Sequence, residues 1–265
     1  MPFLRSLTLI HKAHTIARQN ARFAAFCHNV FCIPEGGDVR GKSLIALSCV
    51  LALIFISYRY LPSYYNPFAP LQLNDPPGRM TQYKLRRLSP QACTALLTLA
   101  RQQQMISVRP VADSQGDCPL SNVVRVQDFG AVKLNNSFLA SCPLALSSAL
   151  FVQQQARPLT ERFMGSALVR IDHLGSYACR NIYNRADARR SEHASADALD
   201  ISAFHLANGQ QVTVLNGWRQ ARTQPWLRAM LSASCGYYGN GLGPEYNAAH
   251  ANHFHLGMRG FGLCR

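Results

Sequence analysis

The sequence predicts an α+β fold, a small antiparallel sheet flanked by helices, with one transmembrane helix ahead of it. Three observations lead there. Residues 43–58, SLIALSCVLALIFISY, contain no charged residue. Beyond them, segments that alternate apolar and polar residues are mixed with helix-like segments, without the regular rhythm of βαβ units. The composition, 48% hydrophobic and 15% charged over 265 residues, excludes a disordered chain, and the length is enough for one good-sized domain with extra segments or for two small domains.

The chain opens on a basic arm, residues 1–42, in which Arg5, Lys12, Arg18, Arg22, Arg40 and Lys42 face only Glu35 and Asp38. The apolar run, taken as a span over 43–60, follows directly between Lys42 and Arg59. It is apolar on every side, unlike a half-exposed helix. A secretory signal peptide and a buried core helix are the alternatives. Against the first, forty-two residues precede the run and no clean small-x-small cleavage site follows it. The excess of Lys and Arg before the span places the arm in the cytoplasm and everything after residue 60 outside. The expectation is a single-pass inner-membrane protein with its C-terminal domain in the periplasm.

The formal net charge of +14 favours polyanionic surroundings: nucleic acid, anionic lipid or an acidic wall polymer. Export makes nucleic acid a poor partner and an anionic envelope a good one. Cysteine usage agrees. Cys27 and Cys32 lie in the arm and Cys49 in the span, leaving Cys93, Cys118, Cys142, Cys179, Cys235 and Cys264 outside. An even number in an oxidising compartment is consistent with up to three disulfides. A Cys235–Cys264 bridge would clamp the last motif of the chain.

Residues 61–82, rich in Pro and Asn, read as a tether, and 83–265 as the exported domain. Ser89 and Pro90 suit the N-cap and first turn of a helix over 89–103. A strand is predicted over 123–135, then a helix over 143–165 that breaks or kinks near Pro158. ALVRIDHLG, 167–175, alternates as a strand. ALDISAFHL and QQVTVLNGW form a hairpin around Ala207-Asn208-Gly209-Gln210. A helix over 224–234 and a short final strand at FHLGM complete the domain.

Two stretches supply metal-ligand residues, SEHASADALD at 191–200 and HANHFH at 250–255. In a strand through ALDISAF, Leu199, Ile201 and Ala203 face the core and Asp200 the open side, with His193 on the incoming loop. Asp197, at i+4 from His193, is a rival ligand if 193–197 is helical. Otherwise Asp197 and Glu192 read as solvated charges, and His173 and His205 as single structural histidines. In an extended HFHL, His253 and His255 share a face, about 7 Å apart, while Phe254 and Leu256 pack inward. One can bind a metal and the other can move a proton. His250, on the preceding turn, reaches the rim.

Two histidines and one carboxylate leave a fourth zinc position open, the catalytic rather than the structural arrangement. Zinc there lowers the pKa of water to about 7 and polarises a carbonyl. A neutral imidazole nearby can take a proton and pass it to a leaving amine. Amide hydrolysis suits such a set best. Taken alone, HxxHxH also fits a chance cluster or a patch that scavenges nickel or copper.

At these residues the sequence resembles the LAS-type zinc peptidases: lysostaphin-like endopeptidases, D-Ala-D-Ala carboxypeptidases and the hedgehog signalling domain. Ser191-x-His193-x-x-Ala196-x-Ala198-x-Asp200 and His253-x-His255 carry the likeness. The full His250-x-x-His253-x-His255 is most similar to the penicillin-insensitive murein endopeptidases. Over roughly 80–265, GSYACRN, SEHASADALDIS, NGW and HANHFH resemble the extensin-like C-terminal domain family. The resemblance implies zinc ligands at His193, Asp200 and His255, His253 as base, and peptidoglycan as partner. Arg180 is the candidate for steadying a substrate carboxylate or the oxyanion, with an ordinary surface arginine as the alternative. Ala196 stands where the carboxypeptidases usually have Gly. Two functions remain open: a membrane-anchored zinc peptidase acting on peptidoglycan peptides, and a catalytically silent, zinc-stabilised module that binds wall polymer or a protein.

Overall fold

The computed structural model describes residues 39–260 and 262–265. All of the basic arm before residue 39, with Cys27 and Cys32, lies outside them. The chain divides into two units that meet between Leu61 and Pro62. In the first, helix α1 (Val39–Tyr60) includes an uncharged-to-Arg59 stretch, Ser43–Tyr60, of mean hydropathy 1.8 with none of it buried. By length and composition it can cross a membrane.

The second unit, Pro62–Arg265, is a mixed α+β domain. Its elements are α2 (Arg79–Arg86), α3 (Pro90–Gln102), β1 (Ser107–Pro110), β2 (Val123–Phe129), β3 (Val132–Ser141), α4 (Cys142–Phe151) and α5 (Arg157–Met164). Then come β4 (Leu168–Gly175), β5 (Ala198–Leu206), β6 (Gln211–Thr213), α6 (Val214–Gly217), α7 (Gln224–Ser234), β7 (Asn240–Leu242), β8 (Phe254–Gly257) and β9 (Leu263–Cys264). The sheet runs β1-β2-β3-β4-β5-β8-β7-β9, with β6 also paired to β5. It is larger than the small antiparallel sheet expected, with nine strands, and it is not purely antiparallel: β3–β4 and β7–β9 pair in parallel. The first parallel pair follows from the long return through α4 and α5 between β3 and β4, since parallel neighbours need a crossover.

Helix α4 is buried at every position but Pro143, which its apolar sequence permits, and packs on β2 and β3. Ser141 caps it by accepting from the Leu144 N–H. Between α4 and α5 the chain makes a π-helical turn, Val152–Ala156. Pro158 lacks an N–H and its ring would strike the carbonyl of residue 154 in a regular helix, so the widened turn is the kink expected there.

Two expectations change. The strand predicted over 123–135 is a hairpin, broken at Gly130, whose φ of +68° and contact with the Gln104 carbonyl leave no room for a Cβ. The tether over 61–82 is packed from its middle onward: Leu71 and Leu73 are in the core, and buried Asp75 pairs with buried Lys84 at 3.4 Å. Lys84 also donates to the Ser63 carbonyl at 2.7 Å. Its two leucines, either side of Gln72 in a stretch rich in Pro and Asn, make too short an alternation to read as an element.

Three disulfides tie the domain: Cys93–Cys142, Cys118–Cys179 and Cys235–Cys264. The last, as the sequence suggested, fastens α7 to the C-terminal strand. That bond explains why a two-residue strand, β9, can hold its place at the sheet edge.

Candidate metal centre

The site is built where β5 meets β8. These strands pair so that Asp200 lies directly opposite His255 and Ile201 opposite Phe254. Period two does the rest. Leu199, Ile201, Phe254 and Leu256 are buried in the core, while Asp200 and His255 share the other face. His193 arrives from a 3-10 turn, Glu192–Ser195, begun by the Ser191 hydroxyl accepting from the His193 N–H. The turn closes with Ala196 at φ 51°, ψ 36°. This is the left-handed region, where an L-residue other than Gly costs about 1–2 kcal/mol. The Ala196 methyl offsets part of that by packing, fully buried, with Leu120 and Val123. A glycine would suit the angles and an alanine the packing.

Ligand atoms of His193, Asp200 and His255 all lie within 4.8 Å of one another. His193 Nε2 is 3.2 Å from His255 Nδ1 and 3.2 Å from Asp200 Oδ2, and His255 Nδ1 is 2.9 Å from Asp200 Oδ1. A tetrahedral zinc with bonds of 2.0–2.1 Å sets neighbouring ligand atoms about 3.3 Å apart. The spacing fits. The protonation pattern fits as well. His193 donates its Nδ1–H to the Ser176 carbonyl at 3.0 Å, so its Nε2 lone pair faces the cluster. The other ring nitrogen of His255, Nε2, faces Glu192 Oε2 at 3.5 Å. A proton there leaves the His255 Nδ1 lone pair facing inward too. Two nitrogen lone pairs and a carboxylate thus converge on one point, which calls for a cation.

Without a metal a proton takes that place. Burial acts against the charged form of His255, yet Asp200 and Glu192 outweigh it and hold its pKa up at about 9. Burial likewise raises Asp200, but its bonds to His193 and His255 win and keep it well below the usual carboxylate range. Burial also works against ionised Glu192; bonds from His255, Asn240 and the Arg259 N–H keep its pKa lowered.

Glu192, expected to be a solvated charge, is instead the buttress of His255. Asn240 Nδ2 donates to its Oε2 at 2.9 Å and the Arg259 N–H to its Oε1 at 2.6 Å. It lies against Gly257, where an added Cβ would meet Oε2 at 2.5 Å and Oε1 at 2.6 Å. Gly257 is therefore a seat for a carboxylate. Asp197 is half-buried and accepts from the Ser195 hydroxyl at 2.6 Å, far from the ligand role that a helical 193–197 would have given it. His173 is buried against Phe138, bonded to the Asn136 carbonyl at 2.8 Å, and His205 is paired with Asp172. Both lie off the cluster, as expected of structural histidines.

His253 and His250 stand beside the three ligands. His253 donates Nδ1–H to Asn252 Oδ1 at 2.8 Å, which leaves Nε2 without a proton, 3.7 Å from Asp200 Oδ1. Burial, assisted by His255 and His193 and opposed by Asp200, lowers its pKa. His250 is held by Asn247 Oδ1 at 2.7 Å, and burial with the neighbouring imidazoles pushes it down to about 4. Both are neutral at pH 7. All five residues line a cleft of about 650 Å³, whose rim includes Arg180, Tyr183 and Tyr246. Arg180 is half-buried, and its carbonyl accepts from the Ser191 N–H at 3.1 Å.

Fold and site together define a disulfide-tied α+β domain with a His/Asp/His cluster at the floor of a cleft. Residues 91–265 match the family described as Extensin-like protein C-terminus, and the chain belongs to that family. The comparison with curated proteins gives no match, and neither does the comparison with solved structures.

Proposed function

We propose that this protein is a membrane-anchored, zinc-dependent hydrolase of amide bonds in peptidoglycan peptides. The observation that carries the reading is the convergence of three lone-pair donors, at tetrahedral spacing, beside two neutral imidazoles in an open cleft. The likeness of the ligand spacing to the LAS-type peptidases supports it. His193, Asp200 and His255 would hold the ion, which when bound supplies a Lewis acid for the scissile carbonyl and a water of lowered pKa. His253, neutral and with its free Nε2 toward the cleft floor, takes a proton from the attacking water and returns it to the leaving amine. Asn252 fixes the tautomer that this requires. His250 presents a second unprotonated nitrogen, which can accept from a substrate N–H at the rim.

The setting fits an envelope enzyme. Three disulfides suit an oxidising compartment, and α1 suits an anchor with its basic arm in the cytoplasm. Peptidoglycan is then the amide-rich polymer within reach. The detergent-solubilised chain, loaded with zinc, should release soluble fragments from murein sacculi. His253→Ala should lower the release by about 10²–10⁴-fold while zinc content stays the same. Sacculi that bind but are never cut, under any divalent metal, would overturn the hydrolase and leave a zinc-stabilised wall-binding module.

A further inference from the structure

One wall of the cleft is formed by an excursion of the chain between Arg180 and Ser191. Its two ends are tied together: Ser191 donates to the Arg180 carbonyl, Ile182 to the Arg189 carbonyl, and Asn181 bridges Arg190 in antiparallel fashion. The Cys118–Cys179 disulfide anchors the base, and the Tyr177 hydroxyl adds a bond to the Cys118 carbonyl at 3.1 Å. The far turn uses Tyr183 and Asn184, at φ 54° and 56°, to reverse direction. Backbone at such angles, in a tyrosine above all, persists only where the surroundings hold it. Tyr183 is held by Asn247, which donates to its hydroxyl at 2.9 Å and also fixes His250.

The arginines of this excursion divide into two kinds. Arg185, at the outer turn, is neutralised by Asp187 through bonds of 3.1 and 2.7 Å. Arg180, Arg189 and Arg190, at the tied base, all border the cleft, and among the described residues no carboxylate lies within ion-pair distance of any of them. Arg259, the remaining arginine of the cleft, is already engaged with the Ser191 carbonyl and the Ser195 hydroxyl. Three unpaired guanidinium groups on a braced loop, beside a cavity, are groups set up for anions. Other residues of the cleft lining are different in kind, among them Leu242, Tyr246 and Leu263.

We propose that the Arg180–Ser191 wall is a subsite for the carboxylates of an acidic peptide, so that the substrate is a short peptide bearing free carboxylates beside the scissile amide. The inference deepens the proposed function and rests on its placing the cleft floor at the reacting bond. A volume of about 650 Å³ falls within the range of about 300–1,000 Å³ typical of ligand pockets. It accepts a few residues of extended peptide, whereas a nucleic-acid backbone needs an open basic track. Planar guanidinium groups match carboxylates in bidentate geometry. The apolar residues of the lining suit the methyl and methylene groups of the same peptide.

The test uses the full chain in neutral detergent micelles, stripped of metal so that nothing is cut. Binding is read by fluorescence anisotropy for an acidic tetrapeptide with a neutral fluorophore, and for the same peptide with every carboxylate amidated. The acidic form should bind at least about tenfold more tightly at low salt, and the gap should narrow as salt screens it. Arg189→Ala with Arg190→Ala should close most of the gap, and Arg189→Lys with Arg190→Lys should restore part of it, which a folding defect would not allow. Equal binding of the two peptides, or tighter binding of a DNA oligonucleotide than of the acidic peptide, would overturn the proposal. A preserved carboxylate preference in a protein that never cuts sacculi would overturn the hydrolase reading alone. Cutting without that preference would overturn the subsite alone.

Discussion

Two histidine–aspartate clusters share strand β5, one with β4 and the other with β8, and they have opposite fates. On one, His205 Nε2 and Arg170 Nε both lie 2.7 Å from the Asp172 carboxylate. One carboxylate meets one cation and one imidazole donor, the charges close, and the group is half open to water. On the other, Asp200 meets two imidazoles whose inward nitrogens are 3.2 Å apart, with Glu192 behind and, among the described residues, no Lys or Arg side chain bonded to either carboxylate. A His–Asp contact is therefore not what marks a site. What marks it is a surplus of lone pairs aimed at one point, in a place where water cannot easily satisfy them.

The sharpest way to break that contrast is to neutralise each aspartate. Asp200→Asn should weaken zinc binding by at least about 100-fold, since a carboxylate ligand is lost from a three-residue set. Asp172→Asn should leave zinc affinity unchanged within error. Competition against a chromophoric chelator measures both. Equal losses in the two variants would mean that zinc, if it binds, is held elsewhere.

The next test moves one shell outward. Gly257→Ala puts a methyl group 2.5 Å from Glu192 Oε2, so the carboxylate must leave its place behind His255. Outer partners of a metal-bound histidine are typically worth about 10–100-fold in metal affinity, and Gly257→Ala and Glu192→Gln should each fall in that range. An absorption spectrum of the cobalt-substituted protein should shift in both variants, because the ring of His255 is no longer fixed. An unchanged affinity and spectrum would reduce Glu192 to a structural role.

That His193, Asp200 and His255 come together was legible in the sequence and the carboxylate behind them was not, for a physical reason. Alternation in ALDISAF and HFHL states which residues face the core, and so which way Asp200, His253 and His255 point. His193 was placed on the incoming loop, whereas the Ser191 cap that starts its turn is visible only in the fold. Glu192 has no such signature. Its partners come from residues 240, 257 and 259, and a carboxylate beside a loop reads as solvated until the chain is folded around it. The same holds for strands β1, β7 and β9, whose short runs are stabilised by neighbours and a disulfide rather than by their own pattern. Leu71 and Leu73 were hidden within a segment whose composition is that of a tether. Local periodicity reports faces, whereas outer shells and edge strands depend on contacts that only tertiary structure supplies.

The smallest expected effect separates the clusters by pH. In the metal-free protein the His255 pKa rises from its ordinary 6.5 to about 9. A raised pKa contributes stability that is complete below 6.5 and disappears as pH climbs to about 9. Asp200 and Glu192 are lowered from 3.8 and 4.5, so their contribution is present above those values and lost in acid. His250 and His253, held below 6.5, lose their own contribution as pH falls beneath that value, so metal-free protein should be most stable near pH 6.5, with Tm falling by a few degrees on the way to pH 9. Zinc must displace the proton on His255, so its stabilising effect should grow over the same interval. The cluster at Asp172 has no such exchange. Its carboxyl is lowered because the bonds from His205 and Arg170 outweigh burial, and its contribution is lost only in acid. His205→Ala should therefore leave the alkaline fall in Tm and its reversal by zinc intact, whereas His255→Ala should remove both. If calorimetry shows the alkaline fall in His255→Ala as well, the proton held between Asp200 and Glu192 is not the one that zinc replaces.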